Sequence, residues 1–561
     1  MIFDLKKKAH YRYKLAISKA KKEYDLGLRD KIHNDLIDGN SNRFWNSWQT
    51  LHGKQGVGPT RVNDKTDNRE IADEFASGFK GIYDEANTDQ AKLLSARFLP
   101  LFNEYYNSHS ADGLDNAYFS WQDMTNIISK LQPGKASGSF IKPEHILNGC
   151  TQLVIHLHLL FNAMLQHSYV PSEFLRGVVT PILKDSEGDV SSIDNYRGIT
   201  LSHTFSFLFE HAILLKIDSF LNTDDRQFGY KKKHSTSHAI YTVRTCIDYF
   251  CTHGSNVYVA FLDCTKGFDR VSHDGLFTKL LEQKVPLCFL KILIYWYSNM
   301  YSVCKWEEAF SEPFSVVSGV RQGGVLSAKF WSVYMDDLVS QLRKTGTGCH
   351  IVDLFVACVL YADDVCLMAP TRKAMQVLLN TCAEYAEYWC IKYNENKSKM
   401  MIFGKNFDSF SCAPLTLNDG VLEFVREIKY LGVIITSERG FLCSPKKARG
   451  AFYRSSNSIL NVVRCPSKRV QMKLLYSICV PNLTYACDVV SFTADDMTSL
   501  HVAANNAIRK IVGYNRWESI SLLRDSYGYS SITQIFAERR KMFLERLSKI
   551  GNAFLSRLSI I

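Results

Sequence analysis

The feature that most constrains this chain is a pair of adjacent aspartates inside an apolar run, FVACVLYADDVCLMAP at residues 355–370, with Asp363 and Asp364 near its centre. Apolar residues on both sides call for two buried strands joined by a tight turn, and the turn carries two carboxylates. An unpaired buried charge is strongly unfavourable, so these acids either reach water at the tip of a hairpin or hold a cation. Mg²⁺ suits such oxygens, because it is hard and binds one or two carboxylates together with substrate phosphates. From these residues alone, a wet turn and a metal-binding turn stand as equal alternatives.

Three other Asp-Asp pairs supply the comparison. Asp224 and Asp225 lie in the turn-like LNTDDRQ, Asp336 and Asp337 in the helical WSVYMDDLVSQL, and Asp495 and Asp496 in TADDMTS, a helix start. These read as solvated caps and surface acids.

A second acid ends another apolar run. In NVYVAFLDCTKGFDRVSHDGL, residues 257–262 read as a buried strand with Asp263 at its end, and HDGLFTKLLEQK follows as a helix. Two strands that each deliver an acid would bring three carboxylates to one site, a set suited to two-metal phosphoryl chemistry. The plain alternative for Asp263 is a turn or helix-capping aspartate.

The ordered series LDCTKGFDRV, SGVRQGGVLSAKFWSVYMDDL, YADDVCLMA, NENKSKMMIF and IKYLGVIIT resembles the palm motifs of reverse transcriptases, specifically those of non-LTR (LINE-type, jockey-like) retrotransposons. Upstream, PGKASGSFIKPEHI, VVTPILKDS with DNYRGITLS, and QFGYKKKHSTSHAI resemble the finger motifs of that group, so the resemblance runs over about residues 125 to 436. It implies an α/β (α+β) right-hand polymerase with fingers, an antiparallel-sheet palm and a helical thumb. It also implies an RNA-directed DNA polymerase that joins deoxynucleotides to a primer 3′-hydroxyl on an RNA template.

The resemblance assigns roles by position. Asp263 and Asp363 would hold two Mg²⁺ ions, with Mn²⁺ a possible substitute, and Asp364 would support them. The Cys264 carbonyl is a further candidate ligand. Phe268 would sit against the sugar of the incoming nucleotide and exclude a 2′-hydroxyl, although a phenylalanine there is also ordinary core packing. Gln322 and Gly323 would lie under the nascent base pair, and Lys184 and Arg197 would grip the triphosphate. Lys397 would protonate the leaving pyrophosphate, with Lys399 two residues away as the other candidate; Tyr430, Leu431 and Gly432 would form the primer grip. The sequence departs from the group in having Lys233 where a glycine is frequent and Gly198 where a proline is common.

Charge distribution agrees with a nucleic-acid enzyme. Residues 1–55 hold 12 Lys and Arg against 6 Asp and Glu, and residues 437–561 hold 19 against 8, so the two ends are basic although the whole chain is only +11. Basic arms around a slightly acidic middle suit a protein that grips phosphate backbones, with strongly salt-dependent binding. Solvated basic helices are the plain alternative.

Three regions are expected. Residues 1–120 read as a basic helical extension with a charged amphipathic helix and an aromatic NRFWNSWQTLHG segment, 121–436 as fingers and palm, and 437–561 as a helical thumb and C-terminal region. The resemblance places a segment like the N-terminal one after an endonuclease in longer polyproteins, and the chain reads as lacking that endonuclease. The 16 cysteines show no zinc-type spacing, and no secretory signal or long apolar span stands out. An intracellular protein, neither secreted nor membrane-bound, is therefore expected, and the resemblance implies a place in nucleus and cytoplasm with RNA template, DNA primer and target, and dNTPs as partners. The alternatives are a catalytically silent or truncated RNA-binding relative of maturase type, and a telomerase-type or intron-encoded polymerase.

Overall fold

The computed structural model describes residues 2–38, 43–44, 47, 61–86, 88–109, 118–185, 188–405, 414–418, 420–462 and 468–560. The chain divides into two compact units. The larger comprises Pro59–Leu431, Thr436–Phe441 and Arg546–Ile561, and the smaller Met1–Gly58, Gly432–Ile435 and Leu442–Glu545.

In the larger unit the strands run as β1 (Arg176–Leu183), β2 (Tyr196–Ser202), β3 (Val257–Asp263), β4 (Tyr301–Trp306), β5 (Ala309–Phe310), β6 (Phe314–Ser315), β7 (His350–Ile351), β8 (Leu354–Phe355), β9 (Cys358–Tyr361), β10 (Asp364–Ala369), β11 (Lys399–Phe403), β12 (Leu415–Leu417) and β13 (Gly420–Phe424). One sheet has the order β2-β1-β4-β5, with β6 also on β4. The other has the order β12-β13-β11-β3-β10-β9. Within it β3 is antiparallel to both β10 and β11, while β11 and β13 meet in a short parallel contact.

The second sheet is built as its sequence requires. Val259, Ala260, Cys366, Leu367, Met368, Met400 and Met401 are all fully buried, so the central strands are covered on both faces. Only the ends of β3 and β10 break this pattern, and those ends carry the acids. The helices Val325–Lys344 and Arg372–Tyr388 contribute Trp331, Tyr334, Leu338, Leu378 and Tyr385 to the same core. The expected lead-in helices are present at Asn68–Ala86 and Asp89–His109, and helix His273–Glu282 follows the Asp263 segment.

Two Asp-Asp pairs are not the surface acids that their sequence context suggested. Asp336 accepts the backbone N–H of Asp224 at 2.6 Å, and burial pushes its carboxyl up to about 6. Asp224 accepts from Arg226 at 2.9 Å and from Arg343 at 2.7 Å, while Asp337 bonds Lys279. A run of helical residues does not reveal which neighbour will cover an acid, and here a loop does. Asp495 and Asp496 do open a helix, Ala494–Val512, capped by Thr493.

The larger unit also takes in the chain's last residues. Asn552 caps the helix Ala553–Leu558 and donates to the Asp225 carbonyl at 2.9 Å, and the Phe554 ring lies 4.6 Å from the Arg226 guanidinium.

The smaller unit is helical. Lys446–Val462, Lys468–Leu474 and Ala494–Val512, with a π-helical turn at Leu475–Cys479, enclose Phe452, Met472, Leu475, Leu500 and Ala503. Phe44 joins this core from the aromatic N-terminal segment, most of which lies outside the described residues. The first helix, Ile2–Ile37, exposes its described side chains apart from Asp35, which is half-buried. Among the described residues no helix is long and apolar enough to cross a membrane, and the 14 described cysteines are all free thiols.

Candidate active site

The register of β3 against β10 sets the site. Asp263, the last residue of β3, lies directly opposite Asp364, the first of β10, and Asp363 occupies the two-residue turn from β9. Strand ends are where a buried sheet meets solvent, so both acids are only half-buried although Leu262, Cys264 and Val365 beside them are buried. Burial, then the charges of Asp363 and Asp263, push Asp364 up to about 6. Burial also raises Asp263, with Asp363 adding to the shift and Lys397 opposing it. Both shifts report carboxylates crowded in a desolvated place without enough positive charge. Among the described residues no group of three His, Cys, Asp or Glu side chains is placed to hold a metal ion by itself.

The turn itself is held by neighbours. Ala362 adopts a left-handed backbone with φ 58°, as the first residue of a tight hairpin turn requires. Its carbonyl accepts the Trp331 indole N–H at 2.9 Å. Gly229 packs so closely that a Cβ there would stand 2.3 Å from the Ala362 nitrogen. On the other side, the Asp263 carbonyl accepts the N–H of Asn394 at 2.8 Å and the Asp263 N–H donates to Ser398 Oγ at 3.1 Å.

Phe268 lies at the edge of the core. Its ring stacks on Trp331 with centroids 5.3 Å apart and meets Tyr230 edge-on at 6.1 Å. Tyr230, which the sequence reading did not single out, keeps half its surface exposed, takes φ 59°, and has its hydroxyl pKa raised by burial and the Asp363 charge. Lys233, in the same loop, takes φ 65°, the backbone a glycine would adopt more easily. Gly198 faces Pro181 across β1 and β2, and a Cβ there would come within 2.8 Å of the Phe79 ring.

Four cations gather near the acids. Lys184, at the end of β1, bonds the Asp194 carbonyl at 2.7 Å, and Arg197 is exposed on β2. Burial lowers the Lys184 pKa, and the charges of Lys266, Lys397 and Arg197 lower it further. Lys266 was not among the sequence candidates, although it stands inside LDCTKGFDRV, three residues after Asp263. The two lysines of NENKSK are separated by geometry. Lys399 pairs with Glu423 at 2.6 Å on β11, whereas the charge of Lys397 is the one that acts on Asp263.

Gln322 and Gly323 join β2, where the Thr200 N–H donates to the Gln322 carbonyl at 2.8 Å. Gly323 has φ 114°, and a Cβ would stand 2.9 Å from the Thr200 carbonyl oxygen, so glycine is required by both backbone and neighbour. Helix Val325–Lys344 begins immediately after, with the buried Glu210 carboxylate accepting the N–H groups of Val325 and Leu326 at 2.5 and 3.2 Å. The Gln322 amide donates to Asp269 at 2.9 Å, a second acid that the sequence reading passed over although it adjoins Phe268.

The three residues expected at a primer grip divide by environment. Tyr430 is buried, with its ring 4.9 Å from that of Phe261. Leu431 and Gly432 both have positive φ, 44° and 89°.

With this geometry in place, comparison with known proteins is specific. Residues 182–435 match the family described as reverse transcriptase (RNA-dependent DNA polymerase). The RNA-directed DNA polymerase from mobile element jockey of Drosophila funebris is 26% identical over 467 residues, 78% of this chain and 49% of that protein. The probable RNA-directed DNA polymerase from transposon X-element of Drosophila melanogaster is 24% identical over 464 residues, with the same two shares. The chain thus spans about half the length of the curated relatives it matches. Among solved structures, telomerase from Candida albicans is similar at a TM-score of 0.37 and 12% identity over 94% of this chain and 91% of that one, a likeness too loose to place any residue. Residues 182–435 thus carry the match to the reverse transcriptase family, and about 78% of the chain is similar in sequence to the RNA-directed DNA polymerases of jockey and other non-LTR retrotransposons.

Proposed function

We propose that this chain is an RNA-directed DNA polymerase of a non-LTR retrotransposon, extending a primer 3′-hydroxyl with deoxynucleoside triphosphates on an RNA template. The observation that carries this reading is the β3–β10 register, which gathers Asp263, Asp363 and Asp364 where burial and mutual repulsion raise two of them. An all-oxygen set under that repulsion fits Mg²⁺, with Mn²⁺ as a substitute. Asp263 and Asp363 would hold two such ions, with Asp364 supporting them. When bound, the ions activate the primer hydroxyl and neutralise the charge that develops on the phosphates.

The chain's own residues position the reactants. Lys184 and Arg197 bind the triphosphate, Arg197 by its planar fork and Lys184 as a point charge whose pKa is lowered by burial and then by the neighbouring cations. Lys397 holds a proton beside the site for the departing pyrophosphate. Phe268, backed by Trp331, meets the nucleotide sugar and excludes a 2′-hydroxyl. Gln322 and Gly323 lie under the nascent pair, and the Leu431–Gly432 turn, propped by buried Tyr430, holds the primer end. Residues 121–436 act as fingers and palm, 437–561 as the thumb and C-terminal region, and 1–120 as a basic lead-in. Copying onto a DNA target places the working protein in the nucleus after cytoplasmic synthesis.

Primer extension on poly(rA)/oligo(dT) with dTTP and Mg²⁺ tests the reading. The purified chain should extend the primer, and Asp363→Asn should abolish extension while leaving template-primer affinity nearly unchanged. No extension by a folded wild type that still binds RNA would instead support the catalytically silent RNA-binding reading.

A further inference from the structure

Asp269 is a half-buried acid to which the proposed mechanism gives no task. Its side chain accepts the Gln322 Nε2–H at 2.9 Å, and the two segments that carry these residues are locked together. Val320 N–H donates to the Phe268 carbonyl at 2.8 Å and Gly319 N–H to the Val271 carbonyl at 2.7 Å. The Ser318 hydroxyl donates to the Asp269 carbonyl at 3.2 Å. Gly319, with φ 85°, lies so close that a Cβ would stand 2.8 Å from the Asp269 Cα. Gln322 is in turn tied to β2 by the 2.8 Å bond from Thr200. The contact is therefore set by the backbone frame and is not an incidental surface pairing.

The chemistry of the two side chains gives this contact a direction. A carboxamide has one accepting and two donating positions at nearly isosteric ends, so its surroundings must choose which end points where. An ionised carboxylate only accepts. Next to Asp269, Gln322 must turn its amine toward the acid, which leaves its oxygen on the opposite side of the amide.

We propose that Asp269 is a positioning residue that orients the Gln322 carboxamide, so that Gln322 presents its oxygen to a donor group on the incoming deoxynucleotide. The inference rests on the polymerase reading of the site. Burial pushes Asp269 up to about 6, against the Gln322 hydrogen bond and the charges of Lys266, Lys184 and Arg197, which favour its ionised form. The acid thus shares the cations gathered around the site, and neutralising it removes the charged acceptor that orients the amide.

The test is a double-mutant cycle in the full chain, using Asp269→Asn, Gln322→Ala and both together, with dTTP on poly(rA)/oligo(dT). Asparagine is isosteric but offers either a donor or an acceptor, so it no longer selects one amide orientation. Asp269→Asn should raise KM for dTTP about tenfold with a smaller change in kcat and unaltered template-primer affinity. In the Gln322→Ala background the same change should add nothing. Losses that multiply in the double variant, or wild-type kinetics for Asp269→Asn, would overturn the role of Asp269 alone. Inactivity of the folded wild type would sink the polymerase reading itself, so the two failures are separable. Thermal melts of all four proteins guard against misfolding. Should Asp269→Asn fail to fold, Asp269→Glu takes its place: a longer acid restores acceptance but shifts the amide, so a dTTP KM equal to wild type in that variant also counts against the role.

Discussion

The Trp331 indole N–H donates at 2.9 Å to the carbonyl oxygen of Ala362, the residue immediately before Asp363. The same ring stacks on Phe268 and fills the space beside Gly267, where a Cβ would stand 2.5 Å from its tip. One buried side chain therefore braces both the turn that carries an acid and the segment that carries the sugar-facing ring.

Trp331→Phe should keep most of the stacking and lose the hydrogen bond, leaving a carbonyl without its partner at a loss of about 1–3 kcal/mol. Gly267→Ala should destabilise by about 1–3 kcal/mol through overpacking. Because phenylalanine is shorter than tryptophan, the double variant should lose less than the sum of the two. Chemical denaturation of the four proteins measures the coupling, and strict additivity would show that Gly267 and Trp331 do not share this space.

Asp364 supplies a pH and metal prediction. Its folded pKa of about 6 lies above the ordinary carboxylate value, so the folded state binds the proton more tightly than the unfolded one. Stability from this group is present at pH below about 4 and is lost as pH rises through about 6. At pH 8 without divalent cation, Asp364→Asn should therefore stabilise the protein, on the order of 1–3 kcal/mol, while impairing synthesis. Added Mg²⁺ should raise the wild-type melting temperature more than that of the variant. An Asp364→Asn protein that melts below wild type at pH 8 would contradict the repulsion argument.

Phe268 is expected to set sugar selection. Phe268→Ala should bring the kcat/KM ratio for dTTP over UTP down by roughly 10- to 200-fold, the range expected when a pocket loses a shape-based discrimination of about 1–3 kcal/mol. Single-nucleotide incorporation assays read this directly. A ratio unchanged in an active variant would return Phe268 to ordinary core packing.

The two lysines of NENKSK should behave differently. Lys399→Ala removes a partly exposed pair with Glu423 and should alter stability by less than about 1 kcal/mol with near-normal synthesis. Lys397→Ala should lower kcat at least tenfold, through loss of a proton donor in the site. The reverse pattern in steady-state kinetics would exchange their roles.

The C-terminal attachment can be probed through Asn552, which is buried, caps its helix through the Leu555 N–H at 2.8 Å and donates to Asp225. Asn552→Ala should destabilise the larger unit by about 2–4 kcal/mol, combining a lost cap with an unpaired carbonyl. Limited proteolysis of the 223–235 loop is the readout, and unchanged protection would show that the attachment contributes little.

The sequence by itself determined the strands and their acids. Runs of apolar residues ending at Asp263 and flanking Asp363–Asp364 admit few alternatives to buried strands with charged ends, and the order of short motifs pointed to one enzyme group. What it did not determine was who faces whom. Asp224 and Asp336 looked like surface acids because their covering partners come from a separate loop and helix. Lys399 stood as the other candidate beside Lys397, and only the packing of β11 shows it paired with Glu423. Asp269, Lys266, Tyr230 and Trp331 lay inside or beside quoted motifs, yet their roles depend on contacts with residues as far away as Gln322 and Ala362. Local sequence fixes backbone preference and burial through short-range sterics and the hydrophobic pattern. Pairings across long chain separations are set only when the sheets and helices pack, and the tertiary structure alone decided them.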